Sequence, residues 1–231
     1  MDKSHYDAWR GLSLTHSSLL FSGCSITWGD ELHNRLSERF SNLVSNHYGT
    51  NAINLSECGI SNDHIVKNTI KYLKSNDADT VVIQFTVHQR IEYFDEKGRS
   101  HKFTPQKIDT ALKRAYYTQV YNNALGAENL WKNIFLFDCF CKSVGQKYIA
   151  LIADHYDRMV INPKSILKEE IGIGHWRKIS NKLPYTYLHR DCLGLMKLYP
   201  QHYINGAMGG HPTALGHEVI AKKVIELIDH I

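Results

Sequence analysis

Two stretches near opposite ends of the chain hold residue types that together can perform nucleophilic catalysis. Ser18-Leu19-Leu20-Phe21-Ser22-Gly23-Cys24-Ser25-Ile26-Thr27-Trp28-Gly29 runs from an apolar strand pattern, through a glycine-bounded corner, into a helical pattern. Such a corner can present Ser25 as a nucleophile. Gly209-Gly210-His211-Pro212 opens the last helical pattern and offers an imidazole able to take the Ser25 proton. A serine hydroxyl is a poor nucleophile at neutral pH and needs such a base, plus donors that hold the oxyanion formed on attack. Against this stands an ordinary reading, with Ser25 a turn residue and His211 a surface neighbour of a helix start. Cys24 raises a thiol alternative, but consecutive residues leaving a strand point to opposite sides, so a buried structural cysteine is expected there.

The elements that must position these residues alternate. Leu19–Phe21 reads as a short buried strand, and from Asp30 the apolar positions Leu32, Leu36, Phe40, Leu43 and Val44 recur at helical spacing. Ala52-Ile53-Asn54-Leu55 reads as a second strand, with Gly59 in the turn and a helix capped by Ser61 whose inner face carries Ile65, Ile70 and Leu73. Thr80–Phe85 is a β-branched, buried third strand; Asp95–Ser100 reads as a solvated loop, with Arg90 and Glu92 before it spaced for an ion pair. Helical patterns over about 108–124 and 127–144, separated by Gly126, precede a fourth strand over 147–152. A final apolar stripe from Leu215 to Ile231 starts just after Pro212 and Thr213.

Strands alternating with helices predict an α/β fold: one three-layer α/β/α domain over 1–231 with a doubly wound, mostly parallel sheet, flavodoxin-like in outline. The stretch from about 155 to 210 lacks a clean period, and short helices packed as a lid or insertion are expected there. In such sheets ligands bind beyond the carboxyl ends of the strands, where the corners holding Ser25, Gly59 and Thr86–Gln89 converge.

Composition narrows the classes. The 231 residues are 43% hydrophobic and 22% charged, which suits an ordinary globular domain and excludes disorder and collagen-like repeats. No run of about 18 apolar residues occurs, and Met1-Asp2-Lys3-Ser4-His5-Tyr6 is too polar for a signal peptide, so a soluble cytoplasmic protein without a membrane partner is expected. Cys24, Cys58, Cys139, Cys141 and Cys192 form no paired CxxC spacing, and reduced thiols are expected. The net charge of +4 is spread along the chain with no basic block, which argues against a nucleic-acid partner. Fourteen histidines invite a metal site, but HExxH is absent, and His211 and His217 fall on different faces of a helix start; neither metal nor other cofactor is expected. Composition gives no oligomeric state.

Gly23-Cys24-Ser25-Ile26-Thr27-Trp28-Gly29 resembles the first block of the SGNH, or GDSL-type, hydrolases, Gly-Asp-Ser-aliphatic-Thr-x-Gly, departing at Cys24. Asn54–Ser61 resembles their second block, and His211-Pro212 with the helix after it resembles their last. The resemblance spans the chain in block order and is similar to a divergent branch found in bacteriophage genomes, which would allow a virion-associated product. It implies the SGNH-hydrolase fold, Ser25 as nucleophile, His211 as base, and the backbone N–H groups of Ser25 and Gly59 as oxyanion donors. Two elements depart. The third block, usually Gly-x-Asn-Asp, reads Thr86-Val87-His88-Gln89, leaving His88 or Gln89 to donate if a third donor remains. The last block, usually Asp-x-x-His-Pro, has Met208 at the aspartate position, leaving a backbone carbonyl or another carboxylate such as Asp154 to orient His211.

The resemblance therefore implies a serine-dependent esterase with a Ser-His dyad, acting on a small-molecule or glycan ester and removing a small acyl group such as acetyl. The alternative is a binding or structural module that kept the fold while its catalytic equipment decayed. Trp176, Tyr185, Tyr187, Tyr199 and Tyr203 are candidates for stacking on sugars or for ordinary core.

Overall fold

In the computed structural model, residues 18–105, 107–153, 185–187 and 211–231 are described, with the backbone alone for 185–187. Five parallel strands form the central sheet: β1 (Ser18–Ser22), β2 (Asn51–Asn54), β3 (Thr80–Phe85), β6 (Tyr148–Ile152) and β7 (Tyr185–Tyr187), in the spatial order β2-β1-β3-β6-β7. Strand β3 is buried throughout, as its β-branched, largely apolar run requires of a strand covered on both faces. Two further strands, β4 (Ile91–Phe94) and β5 (Ser100–Phe103), form a separate antiparallel hairpin.

Helices cover both faces. On one lie α4 (Asn62–Leu73) and α6 (Asn123–Val144); α6 turns Leu130, Ile134, Phe137 and Cys141 inward at helical spacing onto Leu20, Val81, Ile83 and Ala150. On the other lie α3 (Phe40–Tyr48) and the last helix, α7 (Ala214–Ile228), whose Ile220, Ala221 and Val224 meet Phe21, Phe40, Val44, Val82 and Leu151. Each large apolar side chain buried this way contributes about 1.5–3 kcal/mol. The two clusters back to back make the expected α/β/α sandwich. The cap expected at Ser61 is present, its Oγ accepting from His64 N at 3.2 Å, and the last helix, expected just after Thr213, is capped by Thr213 Oγ1 accepting from Gly216 N at 3.3 Å.

Four expectations are corrected. A short helix, α1 (Ser25–Trp28), comes first, and the helix expected from Asp30 is two pieces, α2 (Arg35–Glu38) and α3, with Arg39 extended between them. That break frees the Phe40 N–H to donate to His217 Nδ1 at 3.1 Å, a tertiary bond that overrides the local period. The helix expected over 108–124 is α5 (Ala111–Ala115) followed by one π-helical turn (Tyr116–Val120), closed by Tyr121 N to Tyr116 O at 2.8 Å. Gly126 is not a separator but lies buried within α6, where a Cβ would stand 2.8 Å from the His88 carbonyl oxygen. The solvated loop at 95–100 is the tip of the β4–β5 hairpin, turned by Gly98 at φ 71°.

Asp154, Met208, Gly209 and Gly210, the region expected as a lid at about 155–210, and the side chains of the candidate sugar-stacking aromatics lie outside the described residues. No helix among the described residues is long and apolar enough to cross a membrane.

Candidate active site

Because the sheet is parallel, the carboxyl ends of β1, β2 and β3 open to one side, and the register pairs Phe21 with Asn54 and Ser22 with Ile83. The chain leaves β1 through Gly23, and Ser25 is the first helical residue of α1 after Cys24 at the N-cap. In that position its N–H has no intrahelical acceptor. Gly29, at φ 80°, ends the helix in the left-handed region and donates to Ser25 O at 3.0 Å.

Buried polar side chains pin this corner. Gln84 interrupts the apolar run of β3 and is fully buried; its Oε1 accepts from Thr27 Oγ1 at 2.9 Å and from the Cys24 N–H at 3.3 Å. Its amide also donates to Phe85 O and to Cys24 Sγ. From the β2 side, Asn54 Nδ2 donates to Thr27 O at 3.0 Å. From the β3 end, Asn62 bonds both backbone groups of Thr86. Sequence reasoning missed these three residues, although an amide inside a fully apolar strand run is a signal that it bonds something specific. Replacing Gly23 with alanine would place a Cβ 2.4 Å from Thr27 Oγ1 and 2.9 Å from Gln84 Cβ. Gly23→Ala is therefore expected to cost about 1–3 kcal/mol, read as a lower urea midpoint; an unchanged midpoint would show that the corner relaxes freely.

Cys24 is buried, as expected. Burial alone would push its thiol up. The Arg90 guanidinium and hydrogen bonds from Thr86, the Ile26 N–H and Gln84 outweigh that, and the thiol lies below its ordinary value. The Ser25 hydroxyl, itself buried, has Cys24 Sγ as its hydrogen-bond partner at 3.8 Å, and among the described residues no hydrogen bond joins Ser25 to His211. In enzymes without substrate such contacts often tighten only in the complex.

Gly59 sits in the turn after β2 at φ 75°, with Thr104 alone near its open side, 3.7 Å from where a Cβ would be. A charged network ties this turn to the hairpin. Glu57 pairs with Lys102 at 2.8 Å, and His64 lies 3.5 Å from Glu57 and 2.7 Å from Glu92. The Lys102 hydrogen bond and the charges of Lys102 and His64 hold the Glu57 carboxyl below its usual range despite partial burial. The expected Arg90–Glu92 pair is replaced: Glu92 takes His64, Lys67 and the Ser100 hydroxyl, and Arg90 Nη1 donates to Thr86 Oγ1 at 2.9 Å. At the end of β3, His88 is buried with its ring and carbonyl against Gly126, while Gln89 is half-buried and its carbonyl accepts from Tyr117 Oη at 3.0 Å.

His211 reaches the same loop region as Ser25. Its Nδ1 lies 3.0 Å from Glu31 Oε2, across 180 residues of sequence. Among the described residues Glu31 is the non-glycine residue with positive φ, at 66°, a conformation that costs an ordinary side chain about 1–2 kcal/mol. Burial pushes the Cys58 thiol up to about 12, reinforced by the charge of Asp30 and a hydrogen bond to it. His217, six residues beyond His211, is buried, stacks on Phe40 at 5.9 Å between centroids, and accepts the Phe40 N–H.

No family model matches this chain, and no curated protein matches it. Solved structures do. A member of the lipolytic protein G-D-S-L family from Veillonella parvula superposes with a TM-score of 0.56 at 12% identity, over 94% of this chain and 100% of that one. A GDSL-like lipase from Bacteroides thetaiotaomicron gives 0.51 at 18% identity, over 98% and 96%. An acetyl xylan esterase from Butyrivibrio proteoclasticus gives 0.51 at 12% identity, over 95% of this chain and 65% of that one. With the strand order and the helix layers above, these likenesses show that the chain has the SGNH, or GDSL-type, hydrolase fold.

Proposed function

We propose that the protein is a serine-dependent ester hydrolase that removes a small acyl group, such as acetyl, from a carbohydrate or other polar ester. The observation that carries this reading is the place of Ser25. It is the first residue of a helix pinned at the carboxyl end of a central strand, within a fold shared with esterases and lipases.

In the proposed reaction Ser25 Oγ attacks the ester carbonyl while His211 Nε2 takes its proton. The N–H groups of Ser25 and Gly59 hold the oxyanion. The left-handed backbone of Gly59, backed by the Glu57–Lys102 pair, keeps its turn in place. Collapse of the tetrahedral intermediate expels the alcohol, which receives the proton from His211. Water, activated by the same imidazole, then attacks the acyl-enzyme and returns Ser25. Two backbone donors without the usual asparagine predict a slower enzyme, since one such donor contributes about 3 kcal/mol in the transition state. Acetyl on a polar substrate rests on analogy with proteins such as the acetyl xylan esterase.

The second reading, a binding or structural module on the same fold, is favoured by His88 at the asparagine position and Met208 at the aspartate position. A fluorophosphonate probe separates the two. Covalent labelling of the purified protein, mapped by mass spectrometry to the peptide holding Ser25, is expected for the hydrolase. A folded protein that takes no label under conditions that label a known esterase supports the module.

A further inference from the structure

We propose that Glu31 is the positioning carboxylate for His211, so that the acid missing at Met208 is supplied from the loop that follows the nucleophile. This rests on the hydrolase reading above.

A base that must accept a proton at Nε2 has to carry its own proton at Nδ1, and a carboxylate facing Nδ1 enforces that tautomer and stabilises the imidazolium formed in the reaction. Glu31 Oε2 occupies that place, 3.0 Å from His211 Nδ1, and leaves Nε2 for the serine. Two acids follow one another in this turn, and they divide the work. The charge of Asp30 acts on the Cys58 thiol, whereas Glu31 reaches the imidazole. The backbone supports the assignment. Gly29 already turns the chain into the left-handed region, and Asp30 N bonds Ser25 O at 2.9 Å, which leaves Glu31 in a left-handed conformation that a glycine would adopt without strain. A strained residue whose side chain meets the base of the site is what positioning, rather than local stability, predicts.

Nucleophile and carboxylate thus come from one stretch of seven residues, Ser25–Glu31, and the far end of the chain brings the imidazole alone. The pair is only partly shielded, with side-chain exposures of 20% for His211 and 39% for Glu31. Its contribution is therefore smaller than that of a buried triad aspartate, whose conversion to asparagine costs about ten-thousand-fold in turnover.

The test uses Glu31→Gln and Glu31→Gly in the full-length protein, assayed with p-nitrophenyl acetate alongside fluorophosphonate labelling of the wild type. Both variants are expected to lose kcat by about 10- to 1,000-fold with little change in KM. Glu31→Gly relieves the left-handed strain and should keep or raise the Tm while losing turnover, and added formate should restore part of its kcat. Wild-type turnover in Glu31→Gln overturns the inference and leaves the labelled serine standing. A wild type that takes no label overturns the hydrolase reading and this inference with it.

Discussion

Ser25→Ala, His211→Ala and the double variant are each expected to lose turnover of a reactive ester by about five to six orders of magnitude, with the double variant no worse than either single one. The equality follows from how the two groups act. Without the imidazole the hydroxyl keeps its proton and cannot attack. Without the hydroxyl the imidazole has no proton to take. Removing either dismantles one step, and what survives is the binding site with the Ser25 and Gly59 backbone donors, which a side-chain change leaves intact. Steady-state rates with p-nitrophenyl acetate give the comparison. Losses that multiply in the double variant would show two independent contributions and sink the dyad. A full-rate Ser25→Ala would move the nucleophile elsewhere, Cys24 being its nearest neighbour.

The second large effect is on stability. His217 is buried with its ring on Phe40, and burial, with a smaller contribution from the charge of His211, depresses its pKa to about 3. The Phe40 N–H at Nδ1 favours the same neutral form, since a cation at a helix start is disfavoured. The unfolded chain takes a proton there at its ordinary value of about 6.5, whereas the folded protein resists until about 3. The unfolded state therefore binds more protons below pH 6.5. The stabilisation is whole above that value and is lost progressively as the pH falls to about 3. Between pH 7.5 and 4.5 the loss should be roughly 3 kcal/mol, a large part of a total that is commonly about 5–15 kcal/mol. His217→Asn keeps an acceptor for the Phe40 N–H and removes the titration. Urea midpoints at the two pH values should fall steeply for the wild type and much less for the variant; parallel slopes would assign the acid sensitivity to other groups.

The sheet is legible in the sequence because burial on both faces demands β-branched, largely apolar runs, and Thr80–Phe85 supplies one that no helix period mimics, with Gln84 its one amide. The cap at Ser61 and the helix start just after Thr213 are legible because capping is local chemistry. What is lost is whatever depends on distant partners. The interruption at Arg39 makes sense only once His217 is present to take the Phe40 N–H. The helical reading of 108–124 misses Asn122, whose side chain accepts from Leu125 N at 2.8 Å and starts α6 well before the Gly126 taken as its boundary. The hairpin at 91–103 is hidden because its strands are only four residues each and carry no clean alternation of buried and exposed positions, leaving Gly98 as its main local signal.

The site divides in the same way. Ser25 and Gly59 are candidates through the turns they occupy and the resemblance of those turns to known blocks, and His211 through its place before Pro212. Glu31 escapes because nothing local recommends it: glutamate disfavours the left-handed backbone it adopts, and its partner lies 180 residues away. Gln84 could have been found, since a buried amide in an apolar strand has to be bonded.

That separation of 180 residues between His211 and Glu31 has a kinetic consequence for folding. The Ser25 corner needs only its own turn and the adjacent β2 and β3, whereas placing the imidazole requires most of the chain to close a loop whose entropy cost rises with the logarithm of its length. Contacts of such long range form late, after local turns and neighbouring strand pairs have appeared. On refolding, helical signal should recover first and competence to react with an ester last. A protein can therefore regain its spectrum while the His211 imidazole is still away from the Ser25 corner.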